Sequence, residues 1–76
     1  MEEKILDLLE DICGDEVVKE ELDLNLFEEG LLDSLDFTEL LIGIEEACGV
    51  IIAPSEVTRE DMDTPNKIIA AVKAKM

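Results

Sequence analysis

The sequence predicts an all-α bundle of three principal helices with one or two short helical turns between them. Three observations carry that prediction. Three stretches repeat apolar residues at helical spacing, and each stretch is bounded by residues that cap or break helices. The composition, 47% hydrophobic but only 3% aromatic, leaves Leu, Ile and Val to fill an aliphatic core, which suits a helical bundle. The 76 residues suffice for one monomeric domain near the lower size limit of a self-sufficient core. They leave little volume for an elaborate internal active site, so an independent enzyme is not expected.

In the first helix Ile5, Leu8, Leu9 and Ile12 follow the i, i+3, i+4, i+7 pattern of one buried stripe, and Gly14 stands where a C-terminal cap is expected. Residues 16–22 offer a short helical turn. Residues 23–32 read as a connection pinned by Leu24, Leu26 and Phe27, with Gly30 permitting a turn; its length suggests a functional loop. The second principal helix begins near Asp33-Ser34, where either side chain can accept from unpaired backbone N–H groups. Phe37, Leu40, Leu41, Ile44 and Cys48 form its apolar stripe, and Gly49 ends it. Pro54 disfavours helix at Ala53, so residues 50–54 read as an extended link. Residues 56–61 offer another short turn. In the last helix Asp63 or Thr64 can cap and Pro65 fits the first helical position. Ile68, Ile69, Val72 and Met76 supply its expected buried stripe.

Charge narrows the function. Twenty-one acidic residues against six basic ones give a formal charge of −15. Nucleic acid is excluded as a natural partner, because phosphate backbones are bound by clustered Lys and Arg. An anionic membrane surface repels such a chain, whereas basic protein surfaces complement it and charge steering speeds short encounters. No Lys or Arg occurs between residues 20 and 56. No apolar run approaches membrane-spanning length, and Met1-Glu2-Glu3-Lys4 leads into alternating charged and apolar residues unlike a secretory leader. Cys13 and Cys48 have no metal or redox spacing and histidine is absent, which points to two reduced, packed thiols, no metal and a cytoplasmic setting, with a disulfide between the two as the alternative that sequence leaves open.

Ser34 is the candidate site. It lies at the helix entrance between Asp33 and Leu35, with no histidine in the chain and no lysine near it in sequence to take its proton. A reaction at this hydroxyl therefore requires another protein to activate it, as at a post-translational attachment site. Asp-Ser alone reads as a helix cap rather than as a site. The larger pattern Gly30-Leu31-Leu32-Asp33-Ser34-Leu35-Asp36, following an amphipathic helix and a loop and opening an acidic second helix, resembles the acyl and peptidyl carrier proteins over essentially the whole chain. The resemblance implies a non-catalytic carrier whose Ser34 receives 4′-phosphopantetheine from coenzyme A, with Asp33 as the preceding acid and Leu35 as the following apolar residue. The arm's thiol would hold cargo as a thioester, and tethering would raise the cargo's effective concentration at a docked enzyme.

Three segments are similar to the D-alanyl carrier proteins, which serve D-alanylation of teichoic acids in Gram-positive bacteria. They are Leu24-Asn25-Leu26-Phe27-Glu28-Glu29-Gly30-Leu31-Leu32-Asp33-Ser34, Ala53-Pro54 with Arg59 downstream, and Asp63-Thr64-Pro65-Asn66-Lys67-Ile68-Ile69. The resemblance implies a phosphopantetheinyl transferase, an adenylating D-alanine ligase and a membrane-embedded acyltransferase as partners. The stretch Leu35-Asp36-Phe37-Thr38-Glu39 is more similar to general acyl carriers, which keeps a fatty-acid, polyketide or peptidyl carrier as the alternative.

Winding the second helix at 3.6 residues per turn puts Leu35, Thr38, Glu39, Ile42 and Glu46 on the face opposite the apolar stripe, with Asp36 at its edge. Single surface hydrophobes are ordinary. Leu35 and Ile42 beside Glu39 and Glu46, next to the attachment serine, read as a docking face: apolar contacts anchor while carboxylates steer. Asp33, Leu35, Asp36, Glu39, Ile42 and Glu46 form the expected recognition set. Two readings of other classes compete with the carrier. A calcium loop starting at Asp23 and Asn25 puts Phe27 where an oxygen ligand is needed and misplaces Gly30. A cofactor-free acidic inhibitor of a basic partner is permitted by composition, and the Ser34 motif argues against it.

Overall fold

The structure, a computed structural model, describes residues 2–76. Helix α1 (Glu2–Cys13) buries Ile5 and Leu9, four residues apart on one face, with Leu8 and Ile12 half-buried beside them. The expected turn after it is α2 (Val17–Glu20), entered through an Asp15 carboxylate that accepts from the Val17 N–H at 3.0 Å. Val18 is fully buried, and Lys19 returns to α1 through an ion pair with Asp7 at 2.5 Å. A single turn is too short to show periodicity, so Val18 gave no signal as a core residue.

Helix α3 (Ser34–Cys48) is the second principal helix, with Leu40, Leu41 and Ile44 buried and Phe37 and Cys48 half-buried at the margins of the stripe. It ends at Gly49, whose φ of 69° is left-handed and strained for other residues. The α1–α3 packing is close at Gly43, where a Cβ would stand 2.6 Å from Leu8 Cδ1. Residues 50–53 then run without helix, as expected ahead of Pro54. Val50 and Ile52 are buried while Ile51 between them is 69% exposed, the alternation of extended chain. A turn follows, with the Glu56 N–H donating to Ala53 O at 2.9 Å. Glu56 also pairs with Lys75 at 2.7 Å, which, with an Ala53 N–H bond, holds its carboxyl below the usual range. The second short piece is a 3-10 turn over Arg59–Asp61, and Met62 behind it is fully buried.

Helix α4 (Pro65–Ala74) starts as the sequence implies. Thr64, and not Asp63, is the cap, its hydroxyl accepting from the Lys67 N–H at 3.1 Å, and Pro65 takes the first position. Ile68, Ile69 and Val72 are buried. Met76 corrects the expected stripe: it is 72% exposed, because the helix ends at Ala74 and Met76 lies beyond its last turn.

The connection between α2 and α3 is tied to the start of α4. The Leu26 N–H donates to Asp63 O at 2.7 Å, and Leu26 O accepts from both Leu31 and Leu32 N–H at 2.9 and 3.1 Å. The Asn66 amide donates to Asp23 at 2.8 Å and the Asn25 amide to Asp63 at 3.2 Å. Leu26, fully buried, drops from this loop into a core shared with Ile5, Leu9, Leu40, Ile44, Met62 and Ile68. Asp23 and Asn25, the first positions of the rival calcium loop, thus serve as ties between loop and helix. The loop is long yet fixed, and it delivers the chain to the first residue of α3.

Candidate functional site

Asp33 and Ser34 were equivalent as caps in the sequence; the structure assigns them different tasks. Asp33 is extended (φ −122°, ψ −172°) and its carboxylate accepts from the Asp36 N–H at 2.8 Å, while Asp36 reaches back to accept from the Asp33 N–H at 3.4 Å. This reciprocal box satisfies two backbone donors at the helix entrance. Ser34 is therefore released from capping and stands exposed as the first helical residue. Replacing Asp33 with Ala removes the box, and urea denaturation is expected to show a loss of about 1 kcal/mol; an unchanged midpoint would mean that the box contributes nothing to holding the serine's turn.

The Ser34 hydroxyl faces a cation brought from 25 residues away: an Arg59 Nη2 donates to Ser34 Oγ. Arg59 is placed by the 3-10 turn and by Phe27, over whose ring its guanidinium sits 5.3 Å from the centroid. Phe27 in turn packs edge-to-face on Phe37 of α3, with centroids 5.9 Å apart and planes at 61°. The α2–α3 loop, the 3-10 turn and α3 thereby converge on one hydroxyl. Arg59 can donate but not accept a proton, so this arrangement orients the serine without making it a nucleophile. Arg59 entered the sequence reading only through resemblance; its one other signal is that it is the sole basic residue between Lys19 and Lys67.

The other expected site residues fall as follows. Leu35 is 70% and Ile42 51% exposed, and Thr38, Glu39 and Glu46 are exposed with them on the outer side of α3. Asp36 is half-buried in the capping box, nearer the helix entrance than the outer face, and Asp33 is exposed. The sequence reading missed Ile51. It stands beside this face, where a shallow groove of about 230 Å³ runs between α3 and the link, lined by Thr38, Leu41, Ile42 and Glu45 of the helix and by residues 51–54 of the link. Four consecutive apolar residues from Val50 carry no mark of which one faces outward.

Cys13 and Cys48 are free and half-buried. The Cys13 thiol is pushed up to about 11, first by burial and then by the Asp36 and Asp15 carboxylates; it stays protonated at neutral pH and is a poor nucleophile.

A small helical domain that presents an exposed serine hydroxyl at a helix entrance, the cap being supplied by its neighbour, fits the class of carrier domains that another protein modifies. Residues 3–72 match the family described as "Phosphopantetheine attachment site". The chain is 55% identical over 76 residues to the D-alanyl carrier protein of Abiotrophia defectiva, covering 100% of this chain and 96% of the relative. It is 51% identical over 69 residues to that of Lacticaseibacillus rhamnosus (91% and 85%) and 45% identical over 75 residues to that of Lactococcus lactis subsp. cremoris strain MG1363 (99% and 95%). The chain belongs to the D-alanyl carrier protein family, within the phosphopantetheine attachment family, and so is a carrier with a covalent 4′-phosphopantetheine as its cofactor.

Proposed function

We propose that Ser34 carries the 4′-phosphopantetheine arm and that the loaded group is D-alanine, delivered to teichoic acids. The observation that carries this reading is the exposed Ser34 hydroxyl, freed from capping by Asp33 and approached by the Arg59 guanidinium. An exposed oxygen with a guanidinium beside it fits a phosphodiester, which is charged and needs open space. The bound arm supplies a thiol that holds cargo as a thioester. The protein's own residues present, orient and recognise: Asp33 and Asp36 fix the turn, and Leu35, Glu39, Ile42 and Glu46 form the face that partners read. Chemistry is left to those partners, namely a phosphopantetheinyl transferase, an adenylating D-alanine ligase and a membrane-bound acyltransferase. Among the described residues no helix is long and apolar enough to cross a membrane; we place the carrier in the cytoplasm, meeting the acyltransferase at the membrane's inner face.

The test is a loading assay with ATP, D-alanine and an adenylating ligase, read by intact mass. The phosphopantetheinylated protein is expected to gain one alanyl group, removable by hydroxylamine as a thioester is. Loading with a fatty acyl group and not with D-alanine would replace this reading with the general acyl carrier. Docking has its own test. Ile42→Asp puts a charge in the centre of an apolar patch, and central anchors of this kind dominate binding. It is expected to raise the carrier's KM for the ligase about tenfold, a loss of about 1.4 kcal/mol, with circular dichroism and kcat unchanged. An unaltered KM would remove Ile42 from the docking face.

A further inference from the structure

We infer that Arg59 is the phosphate-binding residue of the carrier, exchanging its bond to the Ser34 hydroxyl for one to the phosphodiester once the arm is attached. The inference rests on the Ser34 reading above and goes beyond it, since it assigns a function to a residue 25 positions away. Three observations carry it. First, an Arg59 Nη2 already donates to Ser34 Oγ, so a phosphate esterified to that oxygen would bring its charged oxygens, two bonds beyond Oγ, within reach of the same guanidinium. Second, the guanidinium lies over the Phe27 ring at 5.3 Å. That contact uses the guanidinium's face, whereas phosphate oxygens are bound in pairs by its in-plane N–H groups, so the two interactions do not compete for the same part of the side chain. Third, among the described residues Arg59 is the cation bonded to Ser34 and stands in no ion pair, whereas Lys19, Lys67, Lys73 and Lys75 are paired with Asp7, Asp63, Glu2 and Glu56 respectively.

The carboxylates near the serine sharpen the need. Asp33 and Asp36 flank Ser34, and their capping box occupies the Asp33 and Asp36 N–H groups. Attachment thus adds an anion beside two carboxylates in a chain already at −15, at the oxygen to which Arg59 is bonded. Arg59 would offset that repulsion and hold the root of the arm against the Phe27–Phe37 pair, restricting the directions in which the thiol leaves the surface.

The experiment compares apo and phosphopantetheinylated forms of wild type, Arg59→Gln and Arg59→Lys. Two readouts separate this role from a merely structural one: the difference in Tm between modified and apo protein, and the Arg59 Nε–H resonance. In wild type, modification is expected to leave Tm level or raise it, and to shift the Nε–H signal. In Arg59→Gln the modified form is expected to melt about 4 °C below its own apo form, the effect of an exposed charge pair in a domain of this size. Arg59→Lys is expected to restore most of the Tm difference, because it returns the charge without the fork. An equal apo-to-modified difference in wild type and Arg59→Gln, or an unmoved Nε–H signal, would overturn the inference while leaving Ser34 as the attachment point. Failure of wild type to accept the arm at Ser34 would overturn both.

Discussion

Ser34→Ala is expected to yield a folded protein that gains no mass when incubated with coenzyme A and a broad-specificity phosphopantetheinyl transferase, whereas wild type gains one arm. The loss should be complete, because none of the other four hydroxyls stands in the first turn of a principal helix behind a separate cap. Thr38 donates its Oγ1 hydrogen to Ser34 O at 3.2 Å, one turn inside the helix; Thr64 is used as the α4 cap; Thr58 is the residue that caps the 3-10 turn; Ser55 lies in the turn after the extended link. The fold should be indifferent to the substitution. The helix cap belongs to Asp33, and Ala is the best helix former at the position Ser34 occupies. A melting temperature within a degree or so of wild type, by the scale on which ~1 kcal/mol shifts Tm by about 4–8 °C, would accompany the lost adduct. An adduct persisting in Ser34→Ala would move the attachment point elsewhere; no adduct on wild type would favour an acidic protein that binds partners without a cofactor.

Leu26→Ala should be the most damaging single truncation in the loop, costing about 2–5 kcal/mol. Leu26 is fully buried among side chains from α1, α3 and α4, and its backbone both donates to Asp63 O and accepts from Leu31 and Leu32. The cavity left behind would lie beneath a segment that helix hydrogen bonds do not support. A chain of this length holds about 4–11 kcal/mol in all, so roughly half of its stability is at stake. Denaturant melts should show the loss directly. Because the same segment brings Phe27 under Arg59 and delivers Asp33-Ser34 to α3, transferase modification should slow as well. A variant as stable as wild type would show that this connection is loosely attached and that the site does not depend on it.

How legible the protein was depended on whether a feature repeats along the chain. The stripes of α1, α3 and α4, the Pro65 start and the Gly49 stop are periodic or local, so they could be read directly. Val18, Met62 and Ile51 could not: the first two sit in pieces of one turn and at a turn's end, and the third hides in an apolar run. Met76 was misplaced because periodicity continues past the point where the backbone stops being helical. At the site, Ser34 and its acidic neighbours were legible as a contiguous motif and by resemblance, and the outer face of α3 followed from 3.6-residue geometry.

By itself the sequence determined an acidic, aliphatic helical domain with one serine at a helix entrance and no histidine to activate it, and resemblance made it a carrier. Those are properties of residue type and short-range order, which the chain carries wherever it is. Only the tertiary structure decided that Asp33 and not Ser34 caps α3, that Ile51 joins the exposed face, and that Arg59 crosses from its own turn to the hydroxyl. Each of these is a choice between groups that are locally equivalent or far apart in sequence, and packing settles such choices by the contacts it leaves each side chain.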